Sequence, residues 1–231
     1  MKMSFFILLL FLLNSSYIVP QSNDSIPSLA KAVAQNYGID SWWHIKSIDF
    51  TFNVKTEKIN VKRSWKWETG TGIVQYSGAG QNGKDTVISY NRNNLKSADP
   101  FITSVDAKFI NDSYWLLFPF HLVWDKNVVI TDQGTREFPI SHKNGKSLKV
   151  QYTDNVGYTP NDVFILYLDE NNMIKEWIYR PGGNKEKERI YTWQDNKNFD
   201  GITISTVHNG AHNKMKVWFT DIKVSTDNKS K

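Results

Sequence analysis

The chain runs to 231 residues with no cysteine and a formal net charge of +5. Without cysteine there is no disulfide framework, thiolate metal site, thiol nucleophile or lipobox anchor, so stability rests on burial and hydrogen bonding. The mild positive charge favours anionic surfaces, but no Lys/Arg cluster forms a nucleic-acid footprint.

Residues 1–22 have the layout of a secretory signal peptide. Lys2 precedes an unbroken apolar run over residues 5–13, and Asn14-Ser15-Ser16 and Pro20-Gln21-Ser22 follow. The run is well short of the roughly 20 apolar residues that a bilayer span needs. Removal near residues 21–22 and export to the periplasm or the medium are expected. About 210 residues remain, enough for one domain over 23–231.

Pro27 sits at the start of a short helix in which Leu29, Ala30, Val33 and Tyr37 recur at helical spacing, with Gly38 as its stop. The period then changes to two. Ile48, Phe50, Phe52 and Val54 alternate with polar residues, as do Val61, Arg63, Trp65 and Trp67. Strands over 72–77 and 86–90 follow. Asp99-Pro100 opens a second helix carrying Phe101, Val105, Phe109 and Ile110 on one stripe. Asn111-Asp112-Ser113 is expected to interrupt it, and Pro119 to end or bend the dense apolar block over 114–120.

The second half reads as antiparallel β, with strands over 128–131, 146–153, 162–168, 173–180, 188–193, 202–207 and 215–224. Asp169-Glu170-Asn171-Asn172, Pro181-Gly182-Gly183 and Asn209-Gly210 supply turns between them.

The motifs that mimic chemistry fail on context. Gly78-Ala79-Gly80-Gln81-Asn82-Gly83 has dinucleotide-fingerprint spacing but leads into a strand, which makes it a hairpin loop. His208 and His212 are four apart across a turn rather than along a helix, so an exposed hairpin is expected in place of a zinc site. Asp162, Asp169, Glu170 and Glu176 are the carboxylates from which a glycosidase pair would have to come. No catalytic constellation, cofactor motif or metal-ligand set emerges.

The aromatic content stands out. All nine tryptophans, Trp42, Trp43, Trp65, Trp67, Trp115, Trp124, Trp177, Trp193 and Trp218, follow the leader. A curved antiparallel sheet needs something to fill its concave side, and residues 101–124 are apolar enough to do so. That segment either plugs the sheet permanently or leaves a lipid-sized pocket beneath it.

Val61-Lys62-Arg63-Ser64-Trp65-Lys66-Trp67-Glu68 resembles the basic-aromatic second strand of the LolA-like superfamily, carriers of outer-membrane lipoprotein sorting, although the proline usual within that motif is absent. The stretch from Asn111-Asp112-Ser113-Tyr114-Trp115 to His121-Leu122-Val123-Trp124-Asp125, with Trp177-Ile178-Tyr179-Arg180-Pro181-Gly182-Gly183, is similar to secreted members of that superfamily. The resemblance spans about residues 25–224. It implies an open half-barrel of antiparallel strands, with helices over the mouth of an apolar cavity and a strand arginine holding the lid. Arg63 is the counterpart of that arginine.

The expected fold is therefore mainly β with a few helices: a single antiparallel half-barrel covered by an N-terminal helix and a mid-chain helical lid. The expected function is non-enzymatic binding of an acyl chain or lipid, including a lipoprotein acyl group, for envelope transport or sensing. Phe50, Phe52, Trp65, Trp67, Trp115, Phe118, Phe120, Trp124, Val150 and Trp177 would form the ligand wall and Arg63 the lid contact. Expected partners are a lipid or acylated protein and envelope membrane proteins, with no nucleic acid and no cofactor, for a monomer. Three other readings remain. One is a carbohydrate-binding module with Trp42, Trp43 and Trp193 exposed in a row, another is a hydrolase with an unrecognised carboxylate pair, and the third is a structural or assembly protein whose groove receives a partner peptide.

Overall fold

The computed structural model describes residues 26–153 and 160–227. The apolar leader and its cleavage point lie outside them. The described chain opens with α1 (Ser28–Asn36), a 3-10 turn (Ile39–His44) and four strands, β1 (Ile45–Thr56), β2 (Asn60–Glu68), β3 (Ile73–Ala79) and β4 (Asp85–Asn91). The long helix α2 (Pro100–Trp124) separates these from β5 (Val128–Glu137), β6 (Asn144–Tyr152), β7 (Val163–Leu168), β8 (Ile174–Arg180) and β9 (Arg189–Thr192). Three more strands complete it, β10 (Gln194–Phe199), β11 (Ile202–Asn209) and β12 (Met215–Thr226).

The strands form a seven-stranded sheet in the order β10-β11-β12-β1-β2-β3-β4 and a five-stranded sheet in the order β5-β6-β7-β8-β9. Every strand pairing is antiparallel. The chain passes between the sheets where β9 runs through buried Trp193 into β10, and an isolated bridge joins Tyr191 to Gly210. Among the described residues the strands do not close into a barrel. This open antiparallel surface with helices packed on it is the arrangement expected from the sequence, carried by two sheets.

Alternation sets the faces. Ile48, Phe50, Phe52 and Val54 of β1 point into the core, with Phe52 opposite Phe219 and Val54 opposite Val217 on β12. The other face of β1 buries Thr51 and Asn53, whose polar atoms are satisfied by Ser64 Oγ at 2.9 Å and by the Thr51 and Trp218 carbonyls. β7 is buried on both faces. Its outer face meets Phe138 and Ile178 in a second, small cluster. Glu176 pins the loop that covers that cluster by accepting from the amides of Ile140 (2.7 Å) and Ser141 (2.9 Å).

Helix α1 buries Leu29, Ala30, Val33 and Ala34. At its end Tyr37 clamps both sheets: its hydroxyl accepts from the Ile174 amide of β8, and its carbonyl accepts from the Thr203 amide of β11. Gly38 follows at φ 91°, where a Cβ would run into the Gly201 carbonyl oxygen. Only glycine meets both demands.

Helix α2 corrects one expectation. It runs through Asn111-Asp112-Ser113 instead of breaking there, because each polar group finds a partner. Ser113 Oγ donates to the Ile110 carbonyl at 2.9 Å, and Asp112 is the buried end of an ion pair. The bend comes later, at Leu117 (φ −124°, ψ 17°), two residues before Pro119. Proline offers no N–H to the Trp115 carbonyl, and its ring pushes that carbonyl aside.

Candidate functional site

Most of the wall residues expected from the sequence lie in one continuous core. Phe50, Phe52, Trp65, Trp115, Phe118, Phe120, Val150 and Trp177 are buried, and Trp67 and Trp124 are partly buried at its margin. Helix α2 fills the space between the sheets. Phe109 meets Trp65 edge-on with ring centroids 5.4 Å apart, Trp115 meets Trp177 at 5.0 Å, and Phe118 meets Phe164 at 4.7 Å. The lipid-sized hollow is therefore occupied by the protein's own rings.

One space is left. A cavity of about 140 Å³, partly open to solvent, lies between the middle of α2 and the inner face of β7 and β8. From α2 it is lined by Ala107, Ile110, Tyr114 and Trp115, and from the sheet by Phe164, Trp177 and Tyr179. Asn111 and Asp162 are its polar members. Of the expected wall, Trp115 and Trp177 reach this cavity; the other eight do not line it.

Its walls are held firmly. Tyr179 and Phe164 are cross-strand partners, stacked at 4.9 Å and 17°. Tyr114 donates to Asp125 Oδ2 at 2.7 Å, as does Tyr152 of β6 at 2.6 Å, and His121 Nδ1 lies 2.9 Å from Asp125 Oδ1. Burial works to raise the Asp125 carboxyl, but His121 and the two phenols overcome it and hold the group below its ordinary range. The cluster ties the C-terminal end of α2 to the five-stranded sheet.

Asp162 is 6% exposed. It accepts from the Tyr179 hydroxyl at 2.9 Å and the Gly182 amide at 2.7 Å. No lysine, arginine or histidine pairs with it among the described residues. Burial first, and the Asp162 charge second, raise the Tyr179 phenol, so it stays a donor.

Arg63 reaches across to α2. Its Nε lies 2.8 Å from Asp112 Oδ2 and its Nη2 2.5 Å from Oδ1, while Trp65 Nε1 donates to the same carboxylate at 2.9 Å. One turn and a half earlier, Arg92 holds the equally buried Asp106 at 2.8 Å, with Tyr90 donating to it at 3.0 Å.

The platform reading loses its geometry. Trp193 is fully buried and Trp42 is packed against Trp67, Phe120 and Trp124, which leaves Trp43 alone at 76% exposure instead of a row of platform rings. Glu176 is committed to its loop, and Asp169 caps a turn by accepting from the Asn171 and Met173 amides. His208 is also corrected. It is wholly buried against Trp193, Trp115 and Phe219, and burial pushes its imidazole down to about 3.

No family model matches the chain, and no curated protein does. Among solved structures, a DUF1329 family protein from Desulfovibrio piger is similar at 8% identity and a TM-score of 0.45, over 89% of this chain and 95% of its own. Lipoprotein LppX from Mycobacterium tuberculosis is similar at 8% identity and a TM-score of 0.31, over 86% of this chain and 95% of its own.

Proposed function

We propose that this chain is an exported, non-enzymatic protein that binds a hydrophobic ligand, an acyl chain or lipid, between α2 and the five-stranded sheet. Residues 23–231 act as one unit after loss of residues 1–22. The ligand includes the acyl group of a lipoprotein, and the role is envelope transport or sensing.

The observation that carries this reading is the ring-lined cavity of about 140 Å³. It is close to the roughly 150 Å³ engineered apolar cavity that admits benzene. Such a space takes the end of an acyl chain, not its length. A longer chain enters by displacing the second half of α2, which breaks the Asp125 bonds to Tyr114 and Tyr152 and yields at Leu117, where the Trp115 carbonyl has already lost its helical donor to Pro119. Each methylene moved out of water then contributes about 0.8 kcal/mol.

Under this reading Trp115 and Trp177 form the resident wall. Phe118 and Phe120 ride on the withdrawing half, Phe50, Phe52 and Val150 are the wall it opens toward, and Trp65 stays packed on Phe109 and Asp112 of the other half. Trp67 and Trp124 sit at the rim, and Arg63 keeps the first half of α2 anchored.

Calorimetric titration of the lipid-stripped mature protein with fatty acids of increasing length tests it. Affinity rises with length, and Ala107→Phe, which fills the cavity from α2, abolishes binding of the shortest binding chain. A folded wild type that binds no fatty acid, or an Ala107→Phe variant that binds like wild type, overturns the proposal.

A further inference from the structure

We infer that the cavity between α2 and the β7–β8 face is a site for a compact quaternary ammonium group, held by Asp162 and the surrounding rings. This rests on the same cavity as the acyl-chain reading and adds the charged end of the ligand.

The protein's other buried aspartates show what such a carboxylate requires. Asp112 faces Arg63, whose guanidinium carbon lies 4.8 Å from the centre of the Phe52 ring. Asp106 faces Arg92, whose guanidinium carbon lies 5.3 Å from the centre of the Phe109 ring. In both places a carboxylate, a cation and an aromatic ring form one unit. At Asp162 the carboxylate is present, and Phe164, Tyr179, Trp177, Trp115 and Tyr114 supply the rings around the adjoining space. The cation is the one part this chain does not contribute among its described residues.

The chemistry of the space selects the missing piece. An acyl chain lying along the rings leaves the Asp162 carboxylate without a counter-charge. A primary ammonium is strongly hydrated and must shed that water to enter. A quaternary ammonium has no N–H to satisfy, loses its water cheaply and is attracted both by aromatic rings and by the carboxylate. Its size matches too: tetramethylammonium is of about the same bulk as the benzene that a cavity of this order accepts.

The group can arrive on a lipid head or as a free small cation, and the test separates the two. Binding to the purified mature protein is measured by calorimetry for choline, for its uncharged isostere 3,3-dimethylbutan-1-ol, and for a monomeric alkylphosphocholine. Choline binds about tenfold more tightly than the isostere. Asp162→Asn removes that preference without weakening the isostere. An alkylphosphocholine that binds more tightly than choline identifies a lipid head as the source, and one that binds no better identifies a free cation.

Equal binding of choline and the isostere by wild type overturns the inference, with no variant needed. So does an Asp162→Asn variant that keeps the preference. Fatty-acid binding without choline binding leaves the acyl-chain reading standing and removes this one; choline binding without fatty-acid binding does the reverse.

Discussion

Arg63 on β2 and Asp112 on α2 meet side-on, two guanidinium nitrogens against two carboxylate oxygens, across the seam between the larger sheet and the helix. Burial pushes the Asp112 carboxyl above its ordinary range, and Arg63, Asn111 and Trp65 pull part of the way back. The pair contributes more to placing α2 than to net stability, since two desolvated charges largely offset their own attraction. Removing one partner is different. Arg63→Leu strands a buried carboxylate and lowers stability by about 3–5 kcal/mol. Adding Asp112→Asn to that variant restores much of the loss, and urea denaturation of the two single variants and the double variant measures both effects.

His208 makes stability sensitive to acid. Its imidazole is near 6.5 in the unfolded chain and about 3 in the fold, with burial as the main cause. Between those values the unfolded chain holds the extra proton. The stabilising contribution is therefore complete above 6.5 and is lost as pH falls through the window, at about 1.4 kcal/mol for each pH unit. His208→Gln flattens this limb. The difference in unfolding free energy between pH 7 and pH 4 shrinks by a few kcal/mol relative to wild type, as read from denaturant midpoints at the two pH values.

Gly38 tolerates no side chain. Gly38→Ala places a methyl at φ 91° and against the Gly201 carbonyl, and costs about 1–3 kcal/mol for the backbone conformation before the clash is counted. Gly70→Ala is the control, since a Cβ there meets nothing within 4 Å. Thermal unfolding shows a drop of several degrees for the first and little change for the second.

Trp43 is the most readily quenched indole. It is the tryptophan left exposed, at 76%, while Trp65, Trp115, Trp177 and Trp193 are buried. Trp43→Phe removes the most readily quenched component and shifts the remaining emission to the blue, leaving the weaker quenching of the partly buried Trp42, Trp67, Trp124 and Trp218. A carbohydrate platform requires the opposite, several indoles quenched together.

Much of the architecture was legible from period alone. Alternation in β1 and β2 marks their buried faces, and Gly38 marks the end of α1. β10 escaped because Gln194–Phe199 is an exposed polar edge with no alternation to display. The run through Asp112 also escaped, because a polar triplet normally leaves a helix unless each group has a partner, and Arg63 lies 49 positions away in sequence. The cavity was legible only at Trp115 and Trp177. Phe164 sits in a strand buried on both faces, where period two carries no information about direction. Nothing in the sequence separates Asp162 from the other three candidate carboxylates, because its partners, Tyr179 and Gly182, depend on the β7–β8 register.

The placing of β12 beside β1 governs how the chain acquires its shape. The five-stranded sheet is a meander whose neighbours follow one another in sequence, so its hairpins form locally and early. The seven-stranded sheet cannot. Its central seam joins Ile45–Thr56 to Met215–Thr226, and until those 12 residues dock β1 has an open edge. Completion of the larger sheet thus waits on a pairing between strands far apart in sequence, which is slower to form than the local hairpins of the meander.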